Sequence, residues 1–195
     1  MVGTYHSLSS CLFIRKESHS ITSLTSLSLL HFRFNSNYYS MEINQIGVIG
    51  SSMKEDERRV PIHPEHLDRL PQSIRQKLIF EKGYGLPFNI SDDELAHQTG
   101  GVSSRASLLS DIGTVIIAKP VVSDLKALKE GGVLWGYPHC AQQEEMTQVA
   151  IDRKLTLIAF EDMFVWKPNG EMGRHTFYIN NEMAGYSAVI HALQL

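Results

Sequence analysis

Short apolar runs alternate with amphipathic stretches along most of the chain, and the runs have the length of strands rather than helices. Thr114–Ala118 is β-branched and apolar on both faces, which is typical of a buried strand in a parallel sheet. The same reasoning predicts five strands in all, at Ile46–Ile49, Leu78–Phe80, Thr114–Ala118, Val133–Tyr137 and Leu155–Phe160.

Helix signals lie between these runs. Pro64 suits a first helical position, and Pro71 interrupts the apolar spacing behind it, so we expect two short helical pieces or a kink. Ser91 and Glu94 have the spacing of a capping box, and the helix that they open is expected to end at Gly100.

The second half of the chain continues this alternation. A helix over 141–153 is predicted to bury Met146, Val149 and Ala150. The sequence 168–170 (Pro-Asn-Gly) predicts a turn between two extended stretches, and a last helix is predicted to begin near Asn181, with that side chain as its cap. The pattern indicates an α/β fold with a mostly parallel, open sheet flanked by helices.

Composition narrows the class of protein. The 195 residues carry a formal net charge of −3 and are 43% hydrophobic, which is typical of a globular chain. A slightly acidic balance argues against nucleic acid or an anionic membrane as a partner. No run approaches the roughly 18 apolar residues of a membrane span, and Cys11 and Cys140 are too few for a disulfide framework, which favours a reducing compartment.

Residues 1–40 differ in composition from the rest. They hold ten serines and three basic residues against one acid, which gives +2 and leaves −5 for residues 41–195. Such a segment is typical of an organellar transit peptide. The alternative is a spurious or disordered leader before a start at Met41. We therefore expect a cytoplasmic protein, or a plastid or mitochondrial one if residues 1–40 are a true transit peptide.

Polar side chains follow four of the predicted strands at the point where each strand ends. Arg59 lies in the loop after the first strand, and Lys119, His139 and Glu161 follow later strands. Because the carboxyl ends of parallel strands meet at one edge, we expect these residues to converge there. Arginine and lysine suit a small carboxylate, and histidine can exchange a proton with a carbonyl or imine. The set predicts a 2-oxo acid or amino acid site.

Each of these residues also has a purely structural interpretation. Arg59 could pair with Glu55 or Glu57, Lys119 could simply end its strand, and His139 could be a core histidine. Glu161 could be a structural, hydrogen-bonded carboxylate near a strand end. No metal cluster is recognisable, and neither the stretch 47–50 nor 83–85 has the glycine spacing of a dinucleotide fingerprint.

Several short motifs carry a family resemblance over about residues 44–195. The sequence resembles the N-terminal domain shared by alanine dehydrogenase and pyridine nucleotide transhydrogenase in a set of motifs that recur in the family's order, namely 54–61 (KEDERRVP), 81–85 (EKGYG), 118–120 (AKP), 135–139 (WGYPH), 158–161 (IAFE) and 182–185 (EMAG). Within the family, the stretches 56–61, 175–178 and 180–186 look most like carboxyethylornithine synthase, which joins pyruvate to the side-chain amine of an amino acid.

The resemblance implies roles for the converging residues. Arg59 and Lys119 match positions that hold a substrate carboxylate and carbonyl oxygen, and His139 matches the histidine that hydrogen-bonds the reacting carbonyl or imine. Lys119 and His139 are thus the implied catalytic residues. Alanine dehydrogenases usually carry Lys-Glu-Pro where this chain has Lys119 directly before Pro120, which weakens alanine as the substrate.

The family's chemistry is hydride transfer with NAD or NADP, which binds in a Rossmann domain after the linking helix. The sequence ends at Leu195, so we expect that cofactor domain to be missing and this chain alone to be inactive. The expected ligands are a 2-oxo acid and an amino acid, and the chain could form a homo-oligomer or associate with a full-length relative. A non-catalytic carboxylate-binding module, a truncated remnant, and an alanine or saccharopine dehydrogenase-like enzyme are the alternatives.

Overall fold

The computed structural model describes residues 44–194. The predicted leader of residues 1–40 and the start at Met41 lie outside the described residues. The main sheet has six short strands, which are β1 (Ile46–Ile49), β2 (Leu78–Glu81), β3 (Gly101–Ser103), β4 (Thr114–Ile117), β5 (Val133–Gly136) and β6 (Thr156–Ala159).

The strand order in space is β3-β2-β1-β4-β5-β6, and every neighbouring pair is parallel. The chain therefore builds one half of the sheet outward from β1 and then returns to build the other half from β4. A crevice outside the carboxyl ends of β1 and β4 follows from this reversal, and ligands of open α/β sheets bind at such switch points.

Helices connect the strands and cover the sheet. The α-helices are α1 (Gln72–Arg75), α2 (Asp92–Gln98), α3 (Arg105–Asp111), α4 (Val122–Ala127), α5 (Glu144–Asp152) and α6 (Tyr178–Gln194), and three 3-10 helices occupy Pro64–Arg69, Leu86–Phe88 and Phe160–Asp162. An antiparallel hairpin, β7 (Phe164–Trp166) with β8 (Met172–His175), follows β6.

The central strands β1, β2, β4 and β5 are mostly buried on both faces, as apolar strands in a parallel sheet require, whereas the edge strand β6 is partly exposed. Successive strand residues point to opposite faces, so Val48 packs with Leu67, Phe80 and Leu95 on one face. Ile49 faces the other side, in a larger cluster supplied by β4, β5, α3, α4 and α5. The predicted fold class, a mostly parallel open sheet between helices, is confirmed.

The predicted strands are all present, with small shifts of their ends. The two helical pieces around Pro71 and the capping box at Ser91 are also confirmed. The helix predicted over 141–153 begins later, at Glu144, because a turn closed by a hydrogen bond from the Gln142 N–H to the His139 carbonyl precedes it. Its buried residues Met146, Val149 and Ala150 are as predicted.

The prediction for the last helix was wrong at its start. Helix α6 begins at Tyr178, so Asn181 lies inside the first turn and does not cap it. The Asn181 N–H donates instead to the Phe177 carbonyl, at 3.3 Å. Five elements were not predicted, namely β3, α3, α4 and the 3-10 helices Leu86–Phe88 and Phe160–Asp162. The β3 strand has one apolar residue, Val102, and exists because it pairs with β2.

A buried carboxylate ties the loop after β1 to the rest of the sheet. Oε2 of Glu81 accepts hydrogen bonds from the backbone N–H groups of Gly50 (3.0 Å) and Ser51 (2.9 Å). Arg105 lies 3.4 Å from Oε1 of Glu81 and donates at 2.8 Å to Asp124 of α4. The Glu81–Arg105–Asp124 network therefore joins β2, α3, α4 and the loop.

We predict that Glu81→Ala lowers the free energy of unfolding by about 3 kcal/mol, because two backbone amides lose their acceptor and Arg105 loses one of its two carboxylate partners. Urea unfolding followed by circular dichroism measures this change. Glu130→Ala is the matched control, since Glu130 forms an exposed ion pair with Lys154 whose loss should leave the midpoint nearly unchanged. Equal midpoints for the two variants would contradict a stabilising role for the network.

Candidate functional site

Two of the residues predicted to converge are in direct contact. Lys119 follows β4 and His139 follows β5, and the Lys119 Nζ lies 2.6 Å from the His139 Nε2. The contact exists because β4 and β5 are paired neighbours, with Ile117 opposite Gly136 at their carboxyl ends. A Cβ atom at Gly136 would lie 2.0 Å from the Ile117 carbonyl oxygen, so only glycine allows this close approach.

Glu161 supports His139 from the next strand along the sheet. It lies in the 3-10 helix that follows β6, and its Oε1 accepts a hydrogen bond of 2.7 Å from the His139 backbone N–H. The same oxygen lies 3.7 Å from the His139 Nδ1. His139 has a positive φ of 49°, a strained backbone conformation that this hydrogen bond helps to hold. The structural role expected of Glu161 stays a prediction.

Tyr137 belongs to the site, although it was not among the predicted site residues. Its ring stacks on the His139 imidazole, with centroids 5.8 Å apart, and the Lys119 Nζ lies 4.5 Å from the ring centroid. A signal was present in the sequence, since Tyr137 directly follows β5 and so lies at the same sheet edge.

Burial and nearby charge shift the protonation equilibria of this group. Burial, together with the positive charges of Arg59 and Lys54, lowers the pKa of Lys119. Burial and the Lys119 charge lower the pKa of His139. His139 is therefore neutral at pH 7 and accepts at Nε2 from the Lys119 ammonium. Its proton then resides on Nδ1, the nitrogen that faces Glu161.

Arg59 pairs with Glu57, as one of the structural alternatives anticipated. Its Nε and backbone N–H donate to Oε1 of Glu57 at 2.7 and 2.9 Å, and its terminal amine contacts Oε2. These hydrogen bonds lower the pKa of Glu57 to about 2. Glu57 is thus ionised over the whole physiological pH range and was missed as a site residue.

The pairing leaves Arg59 available to a ligand. Its side chain is 50% exposed, whereas that of Glu57 is 8% exposed. Within residues 44–194 it makes no hydrogen bond to Lys119 or His139, but its charge acts on both Lys119 and Tyr137. Arg59 therefore adds positive potential to the edge where the other three residues meet.

Ser52 connects the two halves of the sheet at the switch point. Its hydroxyl donates to the Lys119 carbonyl oxygen at 2.9 Å, across the gap between the loop after β1 and the end of β4. The same hydroxyl oxygen accepts from the Lys54 N–H at 3.1 Å. Ser52 therefore fixes the backbone of Lys119 relative to the loop that carries Arg59.

Residues 48–171 match the sequence profile of a family described as "Alanine dehydrogenase/PNT, N-terminal domain". The chain belongs to this family. It is 30% identical over 115 residues to an alanine dehydrogenase of Methanococcus maripaludis, and 31% identical over 114 residues to one of Staphylococcus haemolyticus. These alignments cover 58% of the chain but only 31% and 30% of the relatives. The chain spans about a third of the curated relatives that it matches.

Solved structures show the same fold. A transhydrogenase from Sinorhizobium meliloti superimposes with a TM-score of 0.60 at 22% identity, over 76% of this chain and 44% of that one. An L-alanine dehydrogenase superimposes with a TM-score of 0.50 at 22% identity, over 65% of this chain and 34% of that one. The parallel sheet between helices is thus the architecture of these relatives.

Family membership implies a nicotinamide cofactor, but the loop after β1 does not offer it a fitting phosphate site. In a dinucleotide fold the pyrophosphate lies on free amides at the turn between the first strand and its helix. Here the amides of Gly50 and Ser51 already donate to Glu81. The next helix begins only at Pro64 and is a short 3-10 helix without a side-chain cap.

Neither a metal centre nor a membrane span is found between residues 44 and 194. No group of three or more His, Cys, Asp or Glu side chains in this range could hold a metal ion. No helix in the same range is both long enough and apolar enough to cross a bilayer.

We predict opposite shifts in the titration of His139 when its two charged neighbours are neutralised. Lys119→Met should raise the pKa of His139, because a positive neighbour no longer opposes protonation. Glu161→Gln should lower the pKa further, because the carboxylate favours the imidazolium. Carbon-detected NMR titration of the His139 ring measures both changes. Shifts of the same sign, or none, would contradict the charge arrangement described here.

Proposed function

We propose that residues 44–194 bind a small 2-oxo acid and promote its condensation with an amine, as the substrate-binding part of a nicotinamide-dependent amino acid oxidoreductase. The observation that carries the proposal is the 2.6 Å contact between Lys119 and His139. It places a proton donor and a neutral imidazole together at a sheet edge that Arg59 makes positive.

Each residue has a role that its surroundings support. Arg59 is half exposed, and it holds the carboxylate of the 2-oxo acid with the part of its guanidinium that Glu57 leaves open. The Lys119 ammonium donates to the carbonyl oxygen and stabilises the negative charge that develops there. The Tyr137 ring forms an apolar wall beside Lys119 and His139.

His139 handles the proton during condensation. The amine nitrogen forms a bond to the 2-oxo carbon, and the carbonyl oxygen takes a proton from Lys119. Neutral His139 accepts a proton from the new ammonium and returns it to the hydroxyl, which leaves as water while the carbon–nitrogen double bond forms. The proton that remains on the iminium nitrogen returns to the neutral Lys119 amine, which gives the imine and restores the ammonium. Reduction of the imine needs a hydride, which is the chemistry that a nicotinamide supplies when bound.

The finer specificity that we propose is that of carboxyethylornithine synthase, with pyruvate and an amino acid that bears a side-chain amine. Its motif at 175–178 packs against the site. The Phe177 ring lies 6.0 Å from Tyr137 and 5.2 Å from Phe160, and His175 contacts the Phe160 carbonyl oxygen at 3.1 Å. This aromatic cluster supports the loop of Glu161. Alanine or saccharopine dehydrogenase-like specificity is the alternative.

A carboxylate-binding module without chemistry is the second candidate function. It is favoured by the occupied amides of Gly50 and Ser51, which leave no phosphate site after β1. Both candidates require the same anion site, so its existence is tested first.

We predict that the chain binds pyruvate and that Arg59→Gln weakens this binding roughly tenfold or more, because a charge-assisted hydrogen bond is lost. Isothermal titration calorimetry on the full chain measures the affinity. Arg69→Gln is the matched control, since Arg69 is exposed in the 3-10 helix of 64–69. This control variant should bind pyruvate with the affinity of the wild type. Equal affinity for both variants would remove Arg59 from the site.

A further inference from the structure

A cavity opens at the same sheet edge, beside the candidate site and on the other side of β1. It has a volume of about 620 Å³ and lies at the carboxyl ends of β1 and β2. Its wall includes Val60, Tyr84 and Pro87, and two cationic residues, Arg58 and Lys82, line it as well. The volume is in the range of small-molecule sites, which spans roughly 300–1,000 Å³.

The apolar wall of this cavity is rigid. The Tyr84 hydroxyl donates to the Ile62 carbonyl oxygen at 2.7 Å and accepts from the Ile62 N–H at 3.1 Å. A Cβ atom at Gly50 would lie 2.6 Å from the Tyr84 ring, so glycine is needed for the loop to pass so closely. Tyr84 is 4% exposed and therefore cannot turn away to close the cavity.

The two cations of the cavity have no internal partner. Arg58 and Lys82 are exposed, and in the part of the chain that the structure describes neither side chain makes a hydrogen bond or ion pair. The one acid in the wall is Glu81, and its carboxylate is already occupied. It accepts hydrogen bonds from two backbone amides, from the Ser51 hydroxyl and from the Arg105 guanidinium. The cavity therefore presents uncompensated positive charge beside an apolar wall, which suits a carboxylate attached to a hydrocarbon chain.

Consecutive arginines connect this cavity to the candidate site. Arg58 lines the cavity, whereas the charge of Arg59 acts on Lys119 and Tyr137. Strand β2 lies two positions from β4 in the sheet, a distance of about 10 Å. An amino acid with a terminal amine spans about 6 Å from its carboxyl carbon along five bonds. The Arg58, Lys82 and Lys119 side chains extend from the backbone and cover the rest of the distance between the two strand ends.

We propose that this cavity, which we call the β1–β2 cavity, binds the α-carboxylate end of the amine-bearing amino acid. Its side-chain amine then extends across the end of β1 toward the 2-oxo acid at Lys119 and His139. The inference rests on the proposed function. The arrangement selects amino acids with a terminal side-chain amine over alanine, because alanine is too short to reach from the β1–β2 cavity to Lys119 and His139.

The test is calorimetric titration of the full chain with L-ornithine, with L-norvaline and with pyruvate. Arg58→Gln and Lys82→Gln should each weaken ornithine binding roughly three- to fivefold, and the double variant roughly tenfold or more. Norvaline has the same carbon chain without the side-chain amine, so the same variants should weaken norvaline binding by similar factors. Pyruvate affinity should stay within about twofold of the wild type in all three variants.

Two control variants separate local from general charge effects. Arg69→Gln and Lys126→Gln remove exposed cations from elements away from the cavity and should leave ornithine affinity unchanged. Chemical shifts in the NMR spectrum give an independent location. Ornithine should perturb the amides of Gly83 and Tyr84, and pyruvate those of Lys119 and His139. Both cavity cations are exposed, so their substitution should leave the unfolding midpoint in urea unchanged.

The outcomes distinguish this inference from the proposed function. Unchanged ornithine affinity in the double variant would overturn the β1–β2 cavity as a subsite, while loss of pyruvate binding in Arg59→Gln would still support the proposed function. Unchanged pyruvate affinity in Arg59→Gln would remove Arg59 from the site, and a wild-type chain that binds ornithine but not pyruvate would overturn the proposed function. A wild-type chain that binds neither ornithine nor pyruvate would overturn both.

Discussion

Parallel pairing of β1, β4, β5 and β6 in adjacent positions is the constraint on which the candidate site depends. All four strands deliver their following residues to one edge, and the spacing between strands, about 4.8 Å, brings Lys119 and His139 into contact. The pairing of β4 with β5 holds the strands at this distance, and the absence of a side chain at Gly136 allows its close approach to Ile117. A larger residue at 136 would separate the strands and with them the two functional groups.

The balance of charge at this edge follows from that geometry. Burial and the positive charges of Arg59 and Lys54 lower the pKa of Lys119, so the ligand-free edge contains repulsion between Lys119 and its cationic neighbours. Glu57 and Glu161 reduce this repulsion but do not remove it. A bound carboxylate would relieve it, which gives an anionic ligand a favourable free energy beyond its direct hydrogen bonds.

Much of the fold was predictable because its strands are short, apolar and closed by turn residues, and both the capping box at Ser91 and the break at Pro71 are local signals. The elements that were missed depend on contacts. Strand β3 needs β2 as a partner, and α3 begins at Arg105, whose side chain reaches Asp124 of α4. The prediction that Asn181 caps the last helix was wrong, because α6 begins three residues earlier, at Tyr178.

The sequence by itself determined the alternation of strands and helices, and it placed Arg59, Lys119, His139 and Glu161 after the strands, because these features depend on neighbours along the chain. Only the tertiary structure decided which of them touch. Strand order in a sheet is set by the packing of helices on its two faces, and it brings together residues 20 or more positions apart, such as Lys119 and His139. The partners of Glu81, which lie 24 to 31 positions away along the chain, were decided in the same way, since burial and charge at a sheet edge are properties of the assembled fold.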